Sequence, residues 1–392
     1  MTQETEGRPS LPLPLRRAWP LLPALIILVF VASMLSCNRY GRAAVTSVFF
    51  LPDMMSPLPI RPVTWFTADP VVDHVTLEYG DREMPADVYR PASGDAHGAL
   101  ILSPGAPPLE PDDSRLIRLG GDVARAGLVM IVPFSPDLDE EIILPQEVDA
   151  LVAAFQYLES QPYVKPDKIG YLGVSVGSPL AMLAAADSRI SEDVAFVIAF
   201  GGYYDTFDLL ASITTGVISY NGHEESWDPK WHTVKVMSKQ VIERLDSDQD
   251  KELLTRILID REEGATKDLW RLSSEGRAAY DLLTNTDPSR VAALIDRMPV
   301  KAWEALQSLS LKGQLAGLKA ETFILHDRSD RYIPYVESRR LRDALDGQVK
   351  LHYTEVDIFE HVEPTANRAA HVLVVDSSKL FFHLYQLLLR FS

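Results

Sequence analysis

Gly173-Val174-Ser175-Val176-Gly177 is a run whose residue types and spacing suit covalent chemistry. It follows an apolar, strand-like stretch, Lys168 to Leu172, and precedes a helix-forming run, Pro179 to Ala185. A strand that reverses sharply into a helix strains the backbone at its apex and exposes the apex side chain. The crowding admits only small residues two places to either side. Gly173 and Gly177 supply that smallness around Ser175. The helix beginning just after the serine aims its N-terminal amides, Val176 first, and its positive dipole end at the same point. Negative charge develops there when a hydroxyl attacks a carbonyl, so the run reads as the nucleophile of an acyl transfer.

Such a serine needs a base, and nine histidines are available. His361, in Phe359-Glu360-His361-Val362, comes just after the last strand-like run and before the closing helix. That places it in a loop at the carboxyl end of the strands, where an open α/β sheet collects its chemistry. His352 falls within the strand, and His371 and His383 on the terminal helix, where structural roles are expected. The acid that orients the base belongs behind it, at the end of the preceding strand. Phe323 to Pro334 offers two, Asp327 and Asp330.

Taken together these segments resemble the α/β-hydrolase superfamily, and within it the dienelactone-hydrolase-like and carboxylesterase-like serine hydrolases. Members typically carry a strand and then H-G-x-x-D-x-x-[VI]-P, with the last Asp as triad acid. Here Asp327 replaces the glycine, Asp330 falls on the acid position, and Ile333-Pro334 completes the pattern. Ser175, Asp330 and His361 also follow the family's order. The resemblance covers roughly residues 70 to 202 and 310 to 390 and rests on three motifs in succession.

The resemblance implies an α/β-hydrolase fold, a triad of Ser175, Asp330 and His361, and an oxyanion hole of backbone amides. The family's usual His-Gly and small residue after the third strand are replaced by Pro104-Gly105-Ala106-Pro107-Pro108. Prolines carry no amide hydrogen, so Ala106 becomes the donor expected beside Val176. Ser178 stands where the elbow often has a further glycine. The implied reaction is acyl transfer through an acyl-enzyme, requiring neither metal nor organic cofactor.

The elements that must position these groups alternate. Strands are expected near 75–79, 86–89, 99–102, 128–132, 168–172, 194–200, 322–325 and 349–356. An amphipathic helix is expected over 146–161, with Val148, Leu151, Val152, Phe155 and Leu158 on one face. Such alternation predicts a mostly parallel sheet with helices on both faces. It breaks over 203–318, which reads as a helical lid: 234–245, 251–261, 269–283 and 289–309, broken by Gly264, Pro288 and Pro299. Trp227, Trp231, Trp270 and Trp303 lie in it and suggest either the insertion's own core or the lining of an apolar pocket. The core itself is expected over 71–202 and 319–392.

Ahead of it, 1–17 is a tail, and Ala18 to Cys37 is 20 residues without charge, enough for a transmembrane helix or signal anchor. Arg16-Arg17 and Arg39, Arg42 flank it almost evenly. A retained single-pass membrane anchor is the expectation, with the folded domain extracytoplasmic. A cleaved signal, or a lipoprotein signal ending at Cys37, is the alternative. The proline-rich stretch 38–70 reads as an irregular connector.

Charge and composition exclude other classes. With 55 acidic against 38 basic residues, a net charge of -17 argues against nucleic acid. One cysteine permits no intramolecular disulfide and no cysteine-based metal cluster. Asp246 to Asp250 begins like a calcium loop, but Lys251 and Ile257 occupy the glycine and bidentate-glutamate positions. The expected partner is a small ester or acyl substrate with an apolar part. A peptidase or acyltransferase on the same triad, and a noncatalytic binding protein on the same fold, are the competing readings.

Overall fold

The structure, a computed structural model, describes residues 38–55, 64, 67–92, 94, 96–106, 112–361, 363–364 and 368–391. The expected span 18–37, the tail before it and Pro107-Pro108 lie outside the described residues.

Eight strands form one sheet: β1 (Val71–Tyr79), β2 (Arg82–Arg90), β3 (His97–Ser103), β4 (Val129–Pro133), β5 (Val164–Val174), β6 (Phe196–Phe200), β9 (Glu321–Asp327) and β10 (Leu351–Val356). Their order is β1-β2-β4-β3-β5-β6-β9-β10. β2 runs against both its neighbours, and every other pairing is parallel. Each expected strand is present, several of them longer than the apolar run that announced them. β4, β6 and β9 are buried along their whole length, which is why they read as continuous apolar runs rather than alternating ones. β1 alternates, because its hairpin with β2 closes the edge of the sheet.

Helices cover both faces. α3 (Glu147–Glu159) and α4 (Gly177–Ala186) pack on one, burying Leu151, Phe155, Leu158, Leu180 and Met182 against β3 and β5. On the other lie α1 (Arg39–Met55), α2 (Ser114–Arg125) and the closing helix α12 (Ala370–Phe391), around Leu100, Met130, Phe196 and Phe323. The helix α1 corrects the expectation of an irregular connector. Its first 13 residues hold no proline, and the Asn38 side chain caps it by accepting the Gly41 N–H at 2.9 Å.

α12 is 22 residues long with mean hydropathy 1.3, enough by length and composition to cross a membrane. It is nevertheless tied to the sheet by polar groups. Asp376 accepts the Asp357 N–H at 2.7 Å, and His383 Nδ1 meets the Thr354 hydroxyl at 2.9 Å. α1 runs along it, and the Lys168 ammonium on β5 donates to the Phe391 carbonyl, at the last turn of α12, at 3.2 Å. Leu51, late in α1, packs with Phe200, Leu325 and Phe359 at the carboxyl ends of the strands, so α1 begins toward the end of the sheet opposite Ser175.

Between β6 and β9 the chain builds its own apolar core around Leu210, Trp227, Val241, Leu282 and Leu306. Its helices are α5 (Thr206–Thr215), α6 (Trp231–Ile242), α7 (Asp248–Leu254), α8 (Ser274–Leu283), α9 (Val291–Ile295) and α10 (Val300–Leu309), and α11 (Val336–Leu345) follows between β9 and β10. The insertion is not wholly helical: β7 (Val217–Tyr220) and β8 (His223–Ser226) form a hairpin. Asn221 and Gly222 turn it with φ of 52° and 77°, the Asn-Gly signature of a tight hairpin turn.

The tryptophans divide. Trp227 is buried in the insertion core, Trp231 lies under the Arg261 guanidinium, and Trp270 and Trp303 are 81% and 42% exposed. Neither a shared core nor a shared pocket describes all four.

Candidate active site

β5 delivers the chain to Ser175, and α4 takes it away at once. Ser175 holds φ of 55°, a left-handed conformation unusual outside glycine. Both flanking glycines are forced. A Cβ on Gly173 would stand 2.4 Å from the Ser178 Cα, and one on Gly177 2.1 Å from the Ser103 carbonyl oxygen. The second contact also shows that the start of α4 is pressed against Ser103-Pro104, at the head of the loop bearing Ala106. Val176 is the cap residue of α4 and Ala106 is buried. The two expected oxyanion donors thus lie on abutting segments.

Ser178 is an adaptation of the same turn. Its hydroxyl is placed 2.8 Å from the Gly173 carbonyl and 3.1 Å from that of Phe200, which also accepts the Ser175 N–H at 2.8 Å. Its Cβ occupies the space that a side chain on Gly202 would need.

Asp330 and His361 come together. His361 Nδ1 donates to Asp330 Oδ2 at 2.6 Å, with the aspartate fully buried and the imidazole nearly so. The other carboxylate oxygen accepts the N–H groups of Tyr332 (2.7 Å) and Ile333 (3.0 Å). Burial pushes the Asp330 carboxyl up, but the adjoining His361 and His326 outweigh it and hold the group well below the usual carboxylate range. His361 has φ of 62° and directly follows the short strand β11 (Phe359–Glu360), which pairs with β12 (Glu363–Pro364). The Tyr332 ring stacks on the imidazole at 4.8 Å between centroids.

Gly201 is the floor of this couple. Its φ is +63°, and a Cβ there would lie 3.2 Å from His361 Cε1 and Nδ1 and 3.5 Å from Asp330 Oδ2. It follows Phe200, whose carbonyl holds the elbow, so the end of β6 joins the nucleophile turn to the acid and base. Among the described residues Ser175 Oγ forms no hydrogen bond with His361. Nucleophile–base contacts are often loose without substrate.

An eight-stranded sheet, a strained serine at the strand-to-helix elbow above it, and a buried aspartate–histidine couple from later strand ends decide the fold. This is an α/β-hydrolase fold. The chain resembles the serine hydrolases of that superfamily. Residues 150–263 match the family model described as BAAT / acyl-CoA thioester hydrolase C terminal. No curated protein matches the chain.

Similar solved structures include Pyrococcus horikoshii acylaminoacyl peptidase, with a TM-score of 0.44, 11% identity, and coverage of 82% of this chain and 41% of that one. Porphyromonas gingivalis dipeptidyl peptidase 4 gives 0.45 and 11%, covering 80% and 36%. Dienelactone hydrolase from Anabaena variabilis gives 0.40 and 14%, covering 80% and 98%. The chain thus spans well under half the length of either peptidase.

Around the Asp330–His361 couple stand residues to which the sequence reading gave no place in the site. His326 at the end of β9 is wholly buried; its Nε2 lies 3.0 Å from the Ile333 carbonyl and 3.3 Å from Asp330 Oδ2. A carbonyl only accepts, so this nitrogen carries the ring hydrogen. Trp227, from the insertion, donates its indole N–H to the Asp330 carbonyl at 2.8 Å. The signal for His326 was present as the first letter of the acid motif. Gly201 and Trp227 had none, because their roles depend on which strand ends meet. Among the described residues no group of three or more His, Cys, Asp or Glu is placed to hold a metal ion.

Proposed function

We propose that the chain is a serine hydrolase acting on a carboxylic ester with an apolar part. The Asp330–His361 couple, closed at 2.6 Å on the same strand end that holds the Ser175 elbow, carries this reading. Ser175 attacks the acyl carbon while His361 Nε2 takes its proton. Asp330, ionised and fixed by two backbone amides, orients the imidazole and stabilises the cation that forms. The oxyanion rests on the amides of Val176 and Ala106. His361 then returns the proton to the leaving alcohol, and water activated by the same histidine cleaves the acyl-enzyme.

A thioester is the second reading, favoured by the match of residues 150–263 to a family that includes acyl-CoA thioester hydrolases. The same nucleophile, base and oxyanion donors serve both, since only the leaving group changes from alkoxide to thiolate. Side-by-side turnover of short-acyl p-nitrophenyl esters and the matching acyl thioesters separates the two. Ester preference upholds the first reading, and a kcat/KM at least tenfold higher on thioesters replaces it with the second.

The apolar segment 18–37 supports a membrane anchor. It leads into α1 at the end of the sheet remote from Ser175. Lys168, which holds the last turn of α12 at that end, and Ser175 are seven residues apart on and just beyond β5, about 23 Å at the rise of a strand. The reading is therefore of a site that opens away from the bilayer and takes its substrate from water.

A further inference from the structure

Asp327 occupies the place where the resembling hydrolases carry glycine, and its carboxylate is wholly buried without touching the triad. Each oxygen is doubly engaged. Oδ2 accepts the backbone N–H groups of Ile358 and Phe359 at 2.8 and 2.7 Å. Oδ1 accepts the Ser329 N–H at 2.8 Å and the Ser329 hydroxyl at 2.7 Å. The same hydroxyl oxygen lies 3.1 Å from the Phe359 carbonyl and accepts from Arg368 at 2.5 Å. Arg368 in turn pairs with Asp357 at 2.9 Å.

These bonds join two loops that the chemistry requires to meet. Ser329 directly precedes the acid Asp330, and Phe359 stands two places before His361. Between the end of β10 at Val356 and His361, the amides of Ile358 and Phe359 are drawn to a single side chain at the end of β9. His361 itself has φ of 62°, a conformation that persists only where the surroundings hold it. A glycine at 327 would leave those two amides and the Ser329 hydroxyl without this partner.

We propose that Asp327 is a positioning residue that moors the base-bearing loop to the acid-bearing loop, so that His361 is presented to Asp330 and Ser175 in register. This rests on the reading of Ser175, Asp330 and His361 as a triad. It assigns the departure from glycine at 327 a function, to fix a loop whose histidine carries backbone strain.

The test uses the full chain and its Asp327→Gly and Asp327→Asn variants. Three quantities are measured: kcat and KM on a short-acyl p-nitrophenyl ester, the rate of Ser175 labelling by a fluorophosphonate, and deuterium exchange of segment 351–361. Asparagine keeps an oxygen for the Ile358 and Phe359 amides and can turn its NH2 toward the Ser329 oxygen, so it serves as the conservative rescue. The expected result for Asp327→Gly is a kcat loss of roughly a hundredfold, the scale of a catalytic group misplaced by about 1 Å, with KM within about threefold. Labelling slows in parallel, and exchange rises at Ile358 and Phe359 while the central strands stay protected. Asp327→Asn recovers at least tenfold of the lost kcat.

The proposal is overturned if Asp327→Gly keeps kcat within twofold, if asparagine is no better than glycine, or if exchange rises through the whole sheet. A wild-type chain that neither labels nor turns over would instead remove the triad reading. The exchange comparison still decides the mooring in that case, and unchanged protection at Ile358 and Phe359 would overturn it.

Discussion

At the scale of residues, the site is held by positions that tolerate one side chain each. Gly201 bears most directly on His361, because an added methyl meets the imidazole at 3.2 Å on a backbone with φ of +63°. Gly201→Ala should lower kcat by roughly tenfold, since the imidazole must give by a few tenths of an ångström. It should also cost about 1 kcal/mol or more of stability for the left-handed backbone alone. Steady-state kinetics and thermal melts check both; unchanged kcat would mean that the histidine does not work from this position. A second residue-scale prediction concerns Glu147, buried on α3, whose carboxylate accepts the Ser135 hydroxyl at 2.6 Å. Burial raises its pKa to about 7 against the Ser135 bond. A carboxyl raised in the folded state stabilises most below its unfolded value near 4.5, and that contribution is lost as pH rises through about 7. Melting temperature should therefore fall between pH 5 and 8, and Glu147→Gln should flatten the fall. Parallel curves for the two proteins would contradict the assignment.

At the scale of elements, what was legible in the sequence followed period and local crowding. The strands announced themselves as short apolar runs, α3 by its spacing, and the elbow by glycines that the structure leaves no room to replace. Asp330 and His361, the candidate acid and base, stood in motif order, and the structure brings them to 2.6 Å. Three features were not. α1 was obscured by the prolines that begin at Pro52, although Asn38 and a proline-free run precede them. The β7–β8 hairpin was hidden inside a helical stretch, despite its Asn221-Gly222 turn. Gly201 and Trp227 gain their roles only when β6, β9 and the insertion are brought side by side, which no local pattern encodes. Trp227 makes the insertion part of the site, because its indole N–H caps the Asp330 carbonyl at 2.8 Å. Trp227→Phe keeps the buried ring and loses that bond. It should cost about 1 kcal/mol in a melt and lower kcat several-fold with little change in KM. An unaltered kcat would mean that the insertion only covers the sheet.

At the scale of the whole molecule, the chain divides labour between the two ends of its sheet. The elbow, the couple and the insertion gather at the carboxyl ends of the strands, while α1 begins at the other. Removing residues 1–37 should release the protein from membranes without altering its kcat/KM on a water-soluble ester. Sedimentation with vesicles and turnover of the two forms check this, and a large loss of turnover in the shortened chain would place the apolar segment at the site. The central claim is that Ser175, served by His361 and Asp330, is an acylated nucleophile. Its most direct test is labelling of the full chain with a fluorophosphonate, followed by peptide mass spectrometry, beside Ser175→Ala and His361→Ala. One adduct per chain is expected, on Ser175, absent from the first variant and slowed by roughly three orders of magnitude or more in the second. A folded chain that takes no adduct, or one that labels equally well without Ser175, would contradict it.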